Sequence, residues 1–204
     1  MILDHLAVSG ATLEAATDSI QSALGVRLQP GGQHPVFGTH NNLLGLEDGL
    51  YLEAIAVDPA APAPDRPRWF DLDRRSGPAR LSNWICRSED LTTLLPDLRP
   101  EVGQPIALTR GALAWDMVVP DDGVLPFDNM HPALIQWRCA DHPAQMLEPS
   151  QCRLRRLTVA HPRAVMLQAL LQDFLDDDRL AFEIADVPRL CATFDTPNGL
   201  RTLE

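Results

Sequence analysis

Hydrophobic and polar positions alternate with the period of a strand through residues 2–8 (ILDHLAV) and 51–57 (YLEAIAV), and each run is broken by one group suited to chemistry: His5 in the first, Glu53 in the second. Between them, residues 12–24 carry apolar positions at helical spacing, opened by Thr12 as a capping residue and ended by Gly25. Short strand-like pieces and glycine turns fill the stretch up to the EDG turn at 47–49. This first unit spans 1–57. Residues 58–79 form a proline-rich connector, whose first part, DPAAPAPDRPR at 58–68, is too rich in proline for a helix or a central strand and is predicted to be extended. A second unit, 80–139, repeats the order: LSNWICR as first strand with Asn83, SEDLTTLLPDL as a helix with Ser88 as its cap, then QPIALTRG, LAWDMVV and ALIQWRC, the last carrying Gln136. After a turn-rich linker, 140–151, a third and degenerate unit covers 152–204, with a helix over 162–175 and Arg156 standing where the first strand has His5. Strand–helix–strands units without long helical crossovers define an α+β protein.

By parity, His5 shares a face with Leu3 and Ala7, and Glu53 with Tyr51, Ile55 and Val57. Both strands look covered on both faces, and a carboxylate among apolar neighbours requires an imidazole, an arginine, a metal or ordered water. His5 and Glu53 are therefore either a buried pair that fixes the sheet or a pair that binds ligand or metal. The segment GGQHPVFGTHNN offers His34, Thr39, His40 and Asn41 beside the cavity strand, with glycines that permit close backbone approach; its structural alternative is an exposed turn. Were His40 to reach Glu53, it would serve as a proton relay. Arg110, next to Gly111 and near Trp115, is suited to clamp a carboxylate while the indole covers an apolar part; its structural alternative is an ion pair with one of the many acids. Trp84 and Trp137, of opposite parity to Asn83 and Gln136, are expected beneath the helices.

Composition narrows the partners. The 204 residues are 45% hydrophobic and carry a formal net charge of −11 with every basic side chain other than histidine an arginine, which argues against phosphate-backbone binding and so against nucleic acid. No apolar run is long enough to cross a membrane and residues 1–8 lack a signal-like pattern, so a cytoplasmic location with no membrane partner is expected. Cys86, Cys139, Cys152 and Cys191 show no C-x-x-C spacing and are expected to be buried thiols. There is no G-x-S-x-G elbow, no G-x-G-x-x-G, and the acidic run at 173–179 lacks EF-hand spacing.

The segments LDHLAV, GGQHPVFGTHNNLLGL and YLEAIAV, then Arg110-Gly111 with Leu113-Ala114-Trp115, PALIQW, DHPA, LTVAHP and TPNGLRTL resemble, in order, the glyoxalase-like domain family of the glyoxalase/bleomycin-resistance/extradiol-dioxygenase (vicinal oxygen chelate) superfamily. The resemblance implies repeated βαβββ modules forming curved mixed sheets around a cavity, with helices on the outside. It implies further that His5 and Glu53 meet Asn83 and Gln136 there. One imidazole, one carboxylate and two amides make a poor site for zinc or iron, so the expectation is no cofactor, or a divalent metal held weakly through His5 and Glu53. The expected activity is that of a lyase or isomerase acting by proton transfer on a small polar organic molecule, a carboxylate being favoured. Glu53, His5 and His40 would be catalytic, and Asn83, Gln136, His34, Asn41, Arg110 and Trp115 would bind substrate. The alternative is a non-catalytic protein that binds and sequesters a small molecule. Modules would pair within one chain or across a homodimer.

Overall fold

The structure, a computed structural model, describes residues 1–98 and 100–204, with the backbone alone at Pro100. Eight strands form one sheet in the order β2-β3-β4-β1-β5-β8-β7-β6. They are β1 (Ile2–Ser9), β2 (Gln29–His34), β3 (Thr39–Gly45), β4 (Tyr51–Val57), β5 (Arg80–Arg87), β6 (Gln104–Arg110), β7 (Leu113–Val119) and β8 (Ala133–Trp137). β1 runs parallel to β4 and antiparallel to β5, so the first strands of the two units lie side by side at the centre and the units pair within one chain. The sheet curls until Arg110 on its β6 edge reaches His34 on its β2 edge. An α+β fold with a curved sheet around a cavity is what the sequence led one to expect.

The concave face carries Ala7, Ile55, Ile85, Ile135, Met117 and Trp115, which cluster with Phe37, Trp69 and Phe70. The convex face carries Leu3, Leu6, Leu52, Trp84, Cys86 and Leu134. Two layers cover it. One is α1 (Leu13–Leu24), whose buried stripe is Ala16, Ile20 and Leu24; Thr12 caps its start by accepting from Ala15 N at 3.1 Å, and Gly25 ends it at a φ of 71°. The other is a four-stranded sheet, ordered β10-β9-β11-β12, made of β9 (Arg153–Ala160), β10 (Leu180–Glu183), β11 (Arg189–Thr196) and β12 (Gly199–Leu203). Leu154, Leu157, Val159, Leu190 and Phe194 join the convex core, so the third unit backs the centre of the large sheet. Arg156, the counterpart of His5 in the third unit, lies on the outer side of this sheet, largely exposed, 3.6 Å from Glu183.

Three local expectations change. The helix of the second unit is the single turn α2 (Leu91–Leu94), because Pro96 removes an amide donor; its cap is Asp90, not Ser88, with the Asp90 carboxylate accepting from Thr92 and Thr93 N–H. Two further helices are α3 (Pro143–Met146) and α4 (Ala164–Leu171), the latter shorter than the apolar pattern over 162–175 suggests. The connector is extended only in its first half. Trp69 and Phe70 then fold over the mouth of the concave face, with Trp69 stacked on Phe37 at 4.2 Å. Phe70 and Asp71 adopt φ of 59° and 58°, a left-handed backbone costly for such side chains, held by the bond from Asp71 N to Gly123 O at 3.0 Å. All four cysteines are free. Among the described residues, no helix is long and apolar enough to cross a membrane.

A buried histidine–glutamate pair as the candidate active site

His5 and Glu53 both point into the concave side and are almost fully buried. Strict alternation would send Asp4 to the opposite face from His5. A register shift between Leu3 and His5 in the pairing with β5 breaks that alternation and leaves Asp4 beside the ring it precedes. Asp4 is completely buried and accepts four hydrogen bonds: at Oδ1 from His5 Nδ1 (2.6 Å), and at Oδ2 from His142 Nε2 (2.9 Å), Trp137 Nε1 (3.1 Å) and Arg87 (3.3 Å). Burial alone would raise the pKa of this carboxyl. The bonds from His142 and His5 outweigh it and hold Asp4 far below the ordinary carboxylate range. A permanently ionised Asp4 fixes the tautomer of a neutral His5: Nδ1 carries the proton, and the lone pair of Nε2 looks into the cavity. Tyr51 stacks on the ring at 4.2 Å and 14°, setting its plane, and burial raises the Tyr51 pKa and keeps that phenol neutral.

Across the gap, Glu53 Oε2 stands 3.9 Å from His5 Nε2, too far for a hydrogen bond. Its other oxygen accepts from Asn41 Nδ2 at 2.5 Å. Asn41 is held in turn through Oδ1, which accepts from Gly32 N (2.8 Å) and Arg110 (3.1 Å), so its amide orientation follows from its partners. The same guanidinium donates to His34 Nε2 at 3.2 Å, and His34 Nδ1 therefore donates to Thr39 Oγ1 at 3.0 Å. Burial first, and then the Arg110 charge, pull the His34 pKa from 6.5 to about 3, so this ring is a neutral acceptor. The paired glycines serve these contacts: a Cβ on Gly31 would stand 2.1 Å from Asn41 Oδ1, and one on Gly32 2.6 Å from Arg110 Cδ. The enclosed space is about 30 Å³, room for a water or two, walled by Trp69, Phe70, Trp115, Met117, Ile135 and Trp137.

His5, Glu53, His34, Asn41, Arg110 and Trp115 thus line one cavity. Three other candidates do not join them. Gln136 faces the convex side, where its amide accepts from Leu91 N at 3.1 Å and donates to Glu89 O at 2.5 Å, tying down the start of α2. His40 alternates with Asn41 along β3 and so points away from Glu53. Asn83 shares the concave face but lines a separate cavity. Trp84 packs on the convex side, whereas Trp137, expected there too, lies against Trp115 inside. Asp4, His142, Tyr51 and Arg87 were not singled out from sequence. The DHPA segment containing His142 was among the family-like stretches, and that was the available signal.

A metal carried by this superfamily would find two protein donors here, His5 Nε2 and Glu53 Oε2. Gln136 is on the far face, Asn83 is in another cavity, and the Arg110 cation occupies the same chamber. Among the described residues, no three His, Cys, Asp or Glu side chains are grouped to hold an ion. The donor set falls short of a resident zinc or iron site.

Two βαβββ halves joined through their first strands, with the chemistry on the concave face, define the glyoxalase/bleomycin-resistance/extradiol-dioxygenase class of fold. The family model described as a glyoxalase-like domain matches residues 3–175, and the chain belongs to that family. No curated protein matches it. Among solved structures, a hypothetical protein from Staphylococcus aureus is similar over 92% of this chain and 88% of its own, at 16% identity and a TM-score of 0.65. Methylmalonyl-CoA epimerase from Mycobacterium tuberculosis aligns over 68% of this chain and 88% of its own, at 20% identity and a TM-score of 0.44. At 16% identity the likeness to the first of these is one of fold alone.

Proposed function

We propose that the chain is an enzyme of lyase or isomerase type that transfers a proton on a small, carboxylate-bearing organic molecule. The observation that carries this reading is the facing of His5 Nε2 and Glu53 Oε2 at 3.9 Å across a small, buried, largely apolar-walled cavity. A sheet needs no such arrangement for stability: two lone pairs that cannot bond to each other want a proton or a donor between them.

Arg110 is placed to take the substrate carboxylate, exchanging its bonds to His34 and Asn41 for a charged bidentate pair. Trp69, Trp115 and Trp137 exclude water around the reacting carbon. Glu53 removes the proton next to the carbonyl or carboxylate; the C–H electron pair becomes that of an enolate, and the Arg110 cation stabilises the developing oxygen charge. An isomerase cycle closes when the proton returns from Glu53, or from His5 after relay across the gap, to a carbon of the enolate. Asp4 acts through His5 as a positioning residue: it keeps the lone pair of Nε2 aimed at the cavity and stabilises the imidazolium formed when that nitrogen takes the proton.

The test is solvent exchange. Incubated in D2O with a panel of small 2-oxo and malonate-type acids, the wild-type protein is expected to exchange the acidic C–H of at least one, followed by proton NMR. Glu53→Gln should slow this by about 10²- to 10⁴-fold with folding retained. Retention of an acid with no exchange would replace this reading with sequestration.

A further inference from the structure

A second cavity, about 630 Å³, runs along the seam where the start of β5, the connector and the turn before β8 meet the four-stranded sheet. That is the size of a site for a small organic molecule. Asn83 lines it, fully buried, and neither its Nδ2 nor its Oδ1 has a hydrogen-bond partner among the described residues. An unsatisfied buried amide destabilises the fold, whereas leucine would fill the position without that cost. Its amide therefore stands in the cavity wall with both hydrogen-bonding capacities unmet.

Charge points the same way. Arg75, Arg80 and Arg189 line this space, and none is ion-paired among the described residues. Arg75 donates only to neutral oxygens, Ser9 Oγ (3.1 Å), Ser9 O (2.8 Å), Gly77 O (2.8 Å) and Pro78 O, and Arg80 to Ser76 O (3.3 Å). Of the acids at the cavity, Asp71 is engaged by Arg74 at 2.6 Å and Asp128 by His161 at 3.0 Å; Glu204 lies at the rim, with its O accepting from Leu81 N. In a chain with 28 acids, three guanidiniums with no carboxylate paired to them among the described residues, two of them exposed, line one cavity together with the single unpaired carboxylate of Glu204 and leave it an excess of positive charge.

The cavity also adjoins the His5–Glu53 chamber. Ala7 is paired with Glu53 on one side and Asn83 on the other, so these two side chains share the concave face two strand spacings apart, roughly 10 Å. Phe70, at the left-handed bend of the connector, walls both spaces.

We propose that the seam cavity binds the far end of the substrate, a polyanionic organic molecule with a hydroxyl or carbonyl group: the anionic groups meet Arg75, Arg80 and Arg189, and Asn83 bonds the hydroxyl or carbonyl. That the occupant is substrate rests on the proton-transfer reading; that the cavity takes such an anion does not.

Isothermal titration with citrate and with glycerol 2-phosphate as probes tests the site, with glycerol as the neutral control. At least one anion is expected to bind the wild-type protein, and glycerol is not. Arg189→Ala and Arg80→Ala should each weaken binding about tenfold through the lost charged bonds. Asn83→Leu should weaken it comparably and raise the thermal midpoint, because it removes the unpartnered amide. No binding of either anion by wild type, or undiminished affinity in R189A and N83L, overturns the proposal; should N83L fail to fold, R189A alone decides. Citrate binding by a protein that exchanges no C–H would overturn the proton-transfer reading and leave the anion site standing, and exchange without anion binding would do the reverse.

Discussion

The two halves of the large sheet share a backbone plan and differ in what they aim at the cavity. The first half sends His5 from β1 and Glu53 from β4 inward, with Asn41 and His34 behind them. The second sends Ile135, Met117, Trp115 and Trp137, and at its edge Arg110; Asn83 lines a separate cavity, and the nearest counterpart to Glu53, Gln136, is turned outward to hold α2. On the proposed reading, the first half is the reactive one and the second the binding one. Titratable side chains are concentrated where Asp4 can order them, and the other side supplies a cation and indoles.

If that division is real, substitutions in the two halves should fail in different ways. The largest effect is expected at Asp4. Asp4→Ala strands His142, Trp137 and Arg87 and frees His5 to change tautomer, costing about 3–5 kcal/mol in urea unfolding together with loss of exchange. A cost under about 1 kcal/mol would show that the reactive half does not depend on its buried carboxylate. On the binding half, Gln136→Ala removes two backbone anchors of α2 and should cost about 1–3 kcal/mol with the exchange rate unchanged. Lost activity in a stable Q136A protein would erase the division. The third effect is graded with pH and concerns the junction, where His34 bridges to Arg110. Its folded pKa of about 3 lies below its ordinary 6.5, so the unfolded chain binds the proton first. The His34 contribution is complete above pH 6.5 and is lost as pH falls toward 3, by at most about 1.4 kcal/mol per pH unit. Asp4, with its lowered pKa, adds its own loss only below about pH 4. Chemical unfolding between pH 6.5 and 4 should therefore show a slope that His34→Gln flattens; equal slopes would place the ring outside the linkage.

Much of this was readable beforehand. The strand period located β1, β4, β5 and β8, the Thr12 and Gly25 signals bounded α1, and a histidine and a glutamate among apolar neighbours marked the pair. What escaped reading has one physical origin, the phase of side chains along a strand. A shift of one residue between Leu3 and His5 brings Asp4 to the cavity side, and another between Leu81 and Asn83 resets β5; bulges of this kind leave no mark in a hydrophobic pattern. Gln136 was assigned by analogy with Glu53 although Trp137 is the inward residue of its strand end. His40 was avoidable, since alternation forbids His40 and Asn41 from facing the same cavity. The fold of Trp69 and Phe70 over the cavity depends on tertiary anchoring at Gly123, which a proline-rich composition does not reveal.

Because β1 and β5 are hydrogen-bonded neighbours in a single chain, every wall of the His5–Glu53 chamber is supplied intramolecularly. The chamber is then a first-order property of the polypeptide. Mass action has no hold on its assembly, and turnover per chain should stay constant on dilution through concentrations at which a chamber shared between subunits would come apart.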